Sequence, residues 1–222
     1  MTLFRSPRKI EGRYILFVTF EGIDGSGKST QTELLAACLE QAGFACLRSF
    51  QPGASSLGSA IRSLILNSPQ APCALSEALL FMADRAQHIQ ECLRPALDEG
   101  KIVLCDRYTD SSLAYQGYGS GQDIDTIRQL NDIATGGLRP HLTLLFDLPP
   151  QAALARIAPA NRMSDRFERE GFAYHERVRA GYLELAKAAP ERFVIIDAMR
   201  AKEEIFADVK SVCLGRLEGV HG

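Results

Sequence analysis

The stretch Phe17-Val18-Thr19-Phe20-Glu21-Gly22-Ile23-Asp24-Gly25-Ser26-Gly27-Lys28-Ser29-Thr30 constrains this chain more than any other. An apolar, β-branched run ends at Glu21, a glycine-rich turn follows, and a helical pattern begins after Lys28 and Ser29. Gly22, Gly27, Lys28 and Ser29 meet the spacing G-x-x-x-x-G-K-[ST] of a phosphate-binding P-loop. Glycines let backbone N–H groups turn inward around an anion, and the start of the next helix adds partial positive charge. Gly22, Ile23, Asp24, Gly25, Ser26, Gly27, Lys28, Ser29 and Thr30 are therefore candidate ligands of a nucleotide's phosphates. Lys28 can reach the β- and γ-phosphates, and the Ser29 hydroxyl can ligate Mg²⁺. The flanks fit: residues 14–20 alternate as a strand does, and residues 31–42 carry Leu34, Leu35, Cys38 and Leu39 at helical spacing. A glycine-rich turn that binds nothing would require neither flank.

Strands and helices alternate through the rest of the chain. Further strands are predicted at 44–47, 101–105, 142–146 and 193–196, with helices at 31–42, 56–67, 77–98, 123–134, 149–156, 169–188 and 203–217. Pro95 would kink the end of the long third helix. Gly117, Gly119 and Gly121 read as a mobile loop, and residues 158–165 as polar and irregular. The pattern predicts an α/β, three-layer fold with a mostly parallel five-stranded central sheet and helices on both faces. Ligands of such sheets bind at the carboxyl ends of the strands. Those ends carry residues 21–29, the 49–53 loop, Asp106-Arg107-Tyr108 and Asp147.

A chain of 222 residues, 46% hydrophobic and 23% charged, suits one domain. Residues 1–13 read as an N-terminal extension and 14–222 as a single domain without linker or repeat. A formal net charge of −2 offers no cationic face for nucleic acid, and no apolar run is long enough to cross a bilayer. Arg5, Arg8, Lys9 and Arg13 precede only a short apolar run, which argues against a signal peptide. The six cysteines form no C-x-x-C pair, so free thiols buried in a reducing cytoplasm are expected, not disulfides or zinc ligands.

Asp106 ends a buried strand, where a P-loop enzyme needs a carboxylate near its Mg²⁺, and Arg107 follows it. A surface ion pair at a strand end is the plainer alternative. Phe81 and Arg85 stand at i and i+4 and share a helix face. A ring to stack and a guanidinium to donate would suit a nucleobase, but spacing alone is as consistent with a core Phe beside an exposed Arg. His88, His141, His175 and His221 are scattered, and each reads as structural or exposed.

Several longer runs carry a resemblance. Phe20-Glu-Gly-Ile-Asp-Gly-Ser-Gly-Lys-Ser-Thr30, Leu80-Phe-x-Ala-Asp-Arg-Ala-Gln-His88, Asp106-Arg-Tyr-x-x-Ser-Ser-x-Ala-Tyr-Gln-Gly117 and Ala134-Thr-Gly-Gly-Leu-x-Pro140 resemble the thymidylate kinase family. Asp165-Arg-Phe-Glu168 and Tyr182-Leu-Glu-Leu-Ala186 fit too, and the likeness runs in order from about residue 14 to about 207. The resemblance implies transfer of the γ-phosphoryl group of ATP to dTMP, with Mg²⁺, by a cytoplasmic homodimer. It implies that Lys28 and the P-loop hold ATP, that Ser29 and Asp106 serve the metal, and that Asp24 approaches the sugar 3′-hydroxyl and the metal shell. Phe81 would stack on thymine, Arg85 would bond its O4, and Arg107 would hold the acceptor phosphate. Ser112 and Gln116 would line the base pocket, and Tyr115 would fill the place of a ribose 2′-hydroxyl. A phosphate dianion is already a nucleophile, so cations and positioning suffice and no general base is required.

Two departures matter. Some members place an arginine inside the P-loop where this chain has Gly25; members without it resemble the bacterial type, whose lid supplies the cation. A short lid is expected at about 156–168, with Arg156, Arg162 and Arg166 as its candidate cations or, alternatively, as part of a solvated charged face. Many bacterial members read Thr-Arg-Glu-Pro-Gly-Gly-Thr where this chain has Ser49-Phe50-Gln51-Pro52-Gly53-Ala54-Ser55. Arg48 and Arg62 are the candidate substitutes for the missing arginine. A kinase for another nucleotide or nucleoside, and a non-catalytic P-loop protein, remain the alternatives, though the chain has no guanine-reading Asn-Lys-x-Asp.

Overall fold

The structure, a computed structural model, describes residues 8–10, 13–68, 70–157, 167 and 170–218, with side chains from Ile15 to Leu217. Five parallel strands form the central sheet: β3 (Phe17–Glu21), β4 (Cys46–Phe50), β5 (Ile102–Asp106), β6 (Leu142–Asp147) and β7 (Phe193–Asp197). Their spatial order is β4-β5-β3-β6-β7. β3, β5 and β6 are nearly continuous apolar runs buried on both faces, as central strands of a parallel sheet must be. Two shorter strands, β1 (Arg8–Ile10) and β2 (Arg13–Ile15), pair antiparallel in a separate ribbon. The single strand expected over 14–20 is thus divided at Leu16, and part of the expected extension is paired.

Side chains alternate across the sheet. Val18, Phe20, Ile102 and Leu104 join the larger core, whereas Phe17, Val103 and Cys105 pack with Ile89, Leu93 and Leu97 on the opposite face. The helices are α1 (Lys28–Gln41), α2 (Gly58–Asn67), α3 (Ala74–His88), α4 (Arg94–Asp98), α5 (Thr109–Ser112), α6 (Ile124–Thr135), α7 (Pro150–Ile157), α8 (Phe172–Ala188) and α9 (Lys202–Glu218). A π-helical turn, Ile89–Leu93, joins α3 to α4, with the Arg94 N–H bonded to the Ile89 carbonyl. Pro95 has no N–H to offer the preceding turn, so the helix widens there instead of breaking.

The glycines expected to mark a mobile loop do something else. A second wide helical turn, Leu113–Gly119, continues α5, and it packs on α8. A Cβ at Gly119 would stand 2.7 Å from Val178 Cγ2, and one at Gly117 2.4 Å from Ile124 Cδ1. These glycines permit close packing; only Gly121, with φ of 73°, serves a turn. All six cysteines are free, but only Cys105 and Cys213 are buried, so the buried-thiol expectation holds for two of them.

Candidate active site

The P-loop runs from the end of β3 into α1. Gly22, Gly25 and Gly27 take φ of 138°, 79° and 91°, a region that side chains disfavour. At Gly22 a Cβ would also lie 2.5 Å from the Phe146 carbonyl oxygen. Ile23 is buried in the core, so only its backbone faces the loop, where its carbonyl accepts from Lys28 Nζ at 2.9 Å. Burial, and then Arg107, lower the Lys28 pKa, against the pull of Asp106, Asp24 and Glu21. Ser29 Oγ donates to Asp106 Oδ2 at 2.6 Å, which joins the end of β5 to the start of α1. These two hard oxygens beside the loop fit a magnesium ion, which takes few protein ligands and keeps the rest of its shell for phosphate and water. Among the described residues, His, Cys, Asp and Glu side chains form no cluster of three that could cage a metal alone.

Two cavities meet at this point. The first is lined by Asp24, Gly25, Gly27, Lys28, Ser29, Thr30, Asp106 and Arg107, with Arg48 and Arg156 on its wall. The second is lined by Phe81, Arg85, Ser112, Tyr115 and Gln116, the residues expected to hold a base and sugar. Asp24 and Arg107 belong to both.

Arg107 has φ of 68°, the one positive φ outside glycine among the described residues, and its N–H bonds the Phe20 carbonyl at 3.0 Å. Such strain persists where its surroundings over-determine it, as they do at functional sites. Nη2 donates to Asp24 Oδ1 at 2.6 Å and to the Tyr115 hydroxyl at 3.0 Å; Nη1 donates to Ser111 Oγ at 3.2 Å and Tyr182 Oη at 3.3 Å. Burial works against both charges of the Asp24–Arg107 pair. Their attraction wins, so Asp24 titrates well below the usual carboxylate range and Arg107 well above its usual value.

Arg85 is fully buried, not exposed as the plainer alternative had it. Nε donates to Gln51 Oε1 at 2.9 Å, Nη1 to Asn131 Oδ1 at 2.6 Å and Ser112 Oγ at 3.1 Å, and Nη2 to the Tyr108 carbonyl at 3.0 Å. Gln116 is held by Glu77, to which its Nε2 donates at 2.9 Å. Phe81 faces Phe167 with ring centroids 6.1 Å apart, and Tyr115 meets Phe167 edge-on at 5.9 Å.

Residues 20–209 match the family model described as thymidylate kinase. The chain belongs to the thymidylate kinase family. It is 49% identical to a thymidylate kinase of a Synechococcus strain over 203 residues, covering 91% of this chain and 96% of that one. A thymidylate kinase of Desulfovibrio desulfuricans is 48% identical over 203 residues, covering 88% and 94%. The crystal structure of thymidylate kinase from Ehrlichia chaffeensis superimposes with a TM-score of 0.73 at 34% identity, covering 89% of this chain and 98% of that one.

Within this family fold, most of the predicted site residues line one or both cavities. Arg162 and Arg166 lie outside the described residues. Arg48 has its side chain 53% exposed, 3.8 Å from Glu33, and lines only the P-loop cavity, whereas Arg62 lines both and donates to the Pro52 carbonyl at 2.8 Å. Arg156 donates to the Ala198 carbonyl at 2.9 Å, on the P-loop side. Sequence reasoning missed Phe167, whose signal was an aromatic residue in a polar stretch. It also missed Glu21, Ser111 and Tyr182 behind Arg107, and the role of Gln51 as the acceptor for Arg85.

Proposed function

We propose that the protein transfers the γ-phosphoryl group of ATP to dTMP, giving dTDP and ADP. The observation that carries this reading is the Asp24–Arg107 pair on the wall common to both cavities. One cavity has the phosphate loop and Lys28; the other has a flat ring, a buried guanidinium and a tyrosine beside Asp24. A donor and an acceptor phosphate drawn to that wall would meet in line.

Backbone N–H groups of residues 22–30 and the Lys28 ammonium cradle the ATP phosphates. Ser29 Oγ and the Asp106 carboxylate would hold a magnesium ion, which would supply positive charge beside the phosphates. Arg107 holds the acceptor phosphate and Asp24 the sugar hydroxyl, while Phe81 stacks on thymine and Arg85 donates to its O4. Ser112 and Gln116 complete the base pocket, Tyr115 takes the space of a 2′-hydroxyl, and Arg62 or Arg48 stands in for the loop arginine this chain lacks. Arg162 or Arg166 completes the cationic clamp from the lid at about 156–168. Residues 14–222 act as one kinase domain behind the 1–13 extension.

The enzyme is read as cytoplasmic, in keeping with six free cysteines. A homodimer is supported by exposed Leu64 on α2, Leu75 and Leu79 on α3, and Ile133 on α6; α3 packs against both other helices. A coupled ADP-release assay with ATP, Mg²⁺ and a panel of dTMP, dUMP, dCMP, dGMP and thymidine tests the reading. Turnover selective for dTMP supports it; ATP hydrolysis without acceptor dependence overturns it.

A further inference from the structure

Glu21 ends β3 and its side chain is fully buried. A buried carboxylate is tolerated only where donors satisfy it, and here there are three. Oε1 accepts the Tyr108 backbone N–H at 2.8 Å. Oε2 accepts from Ser111 Oγ at 2.6 Å and from Tyr182 Oη at 3.0 Å. Ser111 and Tyr182 are also the two acceptors of Arg107 Nη1, so one carboxylate stands directly behind both.

We propose that Glu21 is a positioning residue for Arg107, holding its backbone through Tyr108 and its guanidinium through Ser111 and Tyr182 in the orientation that receives the acceptor phosphate. The proposal rests on the reading that Arg107 holds that phosphate.

A hydroxyl has one hydrogen, and a guanidinium only donates. Ser111 Oγ and Tyr182 Oη lie 2.8 Å apart, close enough for one to donate to the other. An ionised Glu21 draws both hydrogens onto Oε2, which leaves lone pairs of both hydroxyls turned to Nη1. A group that must donate at Oε2 reverses one hydroxyl. Its hydrogen then points at the other oxygen or at the guanidinium, and Arg107 loses an acceptor. At the other end, the bond to Tyr108 N–H fixes the peptide just after Arg107, whose left-handed conformation needs such support. Glu21 therefore grips Arg107 at both ends without touching the cavity that Arg107 faces.

A double-mutant cycle tests this with ATP, Mg²⁺ and dTMP. Glu21→Gln keeps the volume but places an amide NH₂ among the hydroxyls. It is expected to lower kcat/KM for dTMP by about 10- to 100-fold, the size of a lost hydrogen bond to a charged group, mainly through KM for dTMP and with KM for ATP unchanged. In the Arg107→Ala background the same change should cost less than about threefold, because the residue it acts through is gone. An equal loss in both backgrounds, or an equal rise in KM for ATP, overturns the positioning role. Arg107→Ala with wild-type kcat/KM overturns the reading of Arg107 itself, and the positioning role with it. Thermal melting reports folding. Should Glu21→Gln not fold, Ser111→Ala and Tyr182→Phe run the same cycle, and losses that add fully to Arg107→Ala overturn the proposal.

Discussion

Arg107 and Arg85 face the same cavity and are held by opposite chemistry. Arg107 meets the Asp24 carboxylate at 2.6 Å, and two hydroxyls link it to a second carboxylate, Glu21. Among the described residues, every oxygen that Arg85 touches is neutral: two side-chain amides, one hydroxyl and one backbone carbonyl. Their titration follows. Burial lowers the Arg85 pKa and no carboxylate in contact restores it, while Asp24 holds Arg107 well above its usual value despite burial. Arg107 is thus a charge with a replaceable partner, able to trade Asp24 for a phosphate. Arg85 is a fixed set of donors, one of whose Nη2 hydrogens lacks a partner among the described residues. That arrangement suits a neutral base carbonyl.

The contrast is sharpest on truncation. Arg107→Ala is expected to lower kcat/KM by about 10³-fold or more, as a charge-assisted contact in a water-poor site is lost. Its melting temperature should fall less than that of Arg85→Ala, because Asp24 has its side chain 29% exposed and can rehydrate. Arg85→Ala should do the reverse in emphasis. It orphans four buried acceptors, each costing about 1–3 kcal/mol, so the fold loses about 3 kcal/mol or more and melting drops sharply. If both variants lost stability equally, the distinction between exchangeable charge and fixed scaffold would not stand.

A second way to sharpen it is pH. Burial first, and Asp110 second, push the Glu21 carboxyl up to about 7, against Ser111 and Arg107. Asp110 is itself paired with Arg192 at 2.6 Å. Lys28 and Arg85 feel the Glu21 charge from α1 and α3. A carboxyl raised from 4.5 to about 7 binds its proton more tightly folded than unfolded. Its stabilising effect is complete below the unfolded value and is lost as pH rises through the folded one. The melting temperature of the wild type should therefore fall relative to Glu21→Gln between about pH 5 and about pH 8. Activity should move the other way, since ionised Glu21 is the form that orients Arg107. The phosphate of dTMP has its own second pKa of about 6, so the ratio of wild-type to variant kcat/KM is the quantity to plot. A flat ratio would mean that Glu21 does not change charge in this range.

The two arginines also show what was legible in the chain. The strands and the P-loop follow from local signals: apolar runs, glycine spacing and Lys28-Ser29. Arg107 was legible because it follows a strand that ends at the ligand edge of the sheet. Arg85 was not, because spacing on α3 places it on the face of Phe81 without saying whether that face is wet. What buries it comes from distant segments: Gln51 before Pro52, Ser112 on α5 and Asn131 on α6. Glu21 looked like the end of a strand, since its partners lie 87, 90 and 161 positions away. The wide turn over Leu113–Gly119 was hidden for a different reason, as its glycines suggest a loop until α8 is seen packed on them.

The smallest expected effect concerns the neutral side of the comparison. Gln51 Nε2 lies 2.8 Å from His88 Nδ1, and His88 Nε2 lies 2.5 Å from Ser49 Oγ. An amide nitrogen only donates, so Nδ1 accepts and the imidazole hydrogen sits on Nε2, facing Ser49. Burial, and then Arg85, push the His88 pKa down to about 4, with Glu91 pulling weakly the other way. The stability this neutral histidine provides is present above 6.5 and lost as pH falls toward about 4. Gln51→Glu gives Arg85 an ionic partner and sets a carboxylate oxygen against the Nδ1 lone pair. His88 should then take up a proton, and its pKa should rise above the ordinary 6.5, readable in an NMR titration of the imidazole C–H signals. Its contribution to stability would change sign, being present below 6.5 and lost as pH rises. With Phe50→Arg added, the loop regains the pair common in bacterial members, and KM for dTMP should fall by about threefold, the scale of a partly exposed ionic contact. An unchanged KM together with an unchanged His88 pKa would mean that a neutral Gln51 is equivalent to the acid, and that the difference in charge between the partners of the two arginines has no consequence for the base pocket.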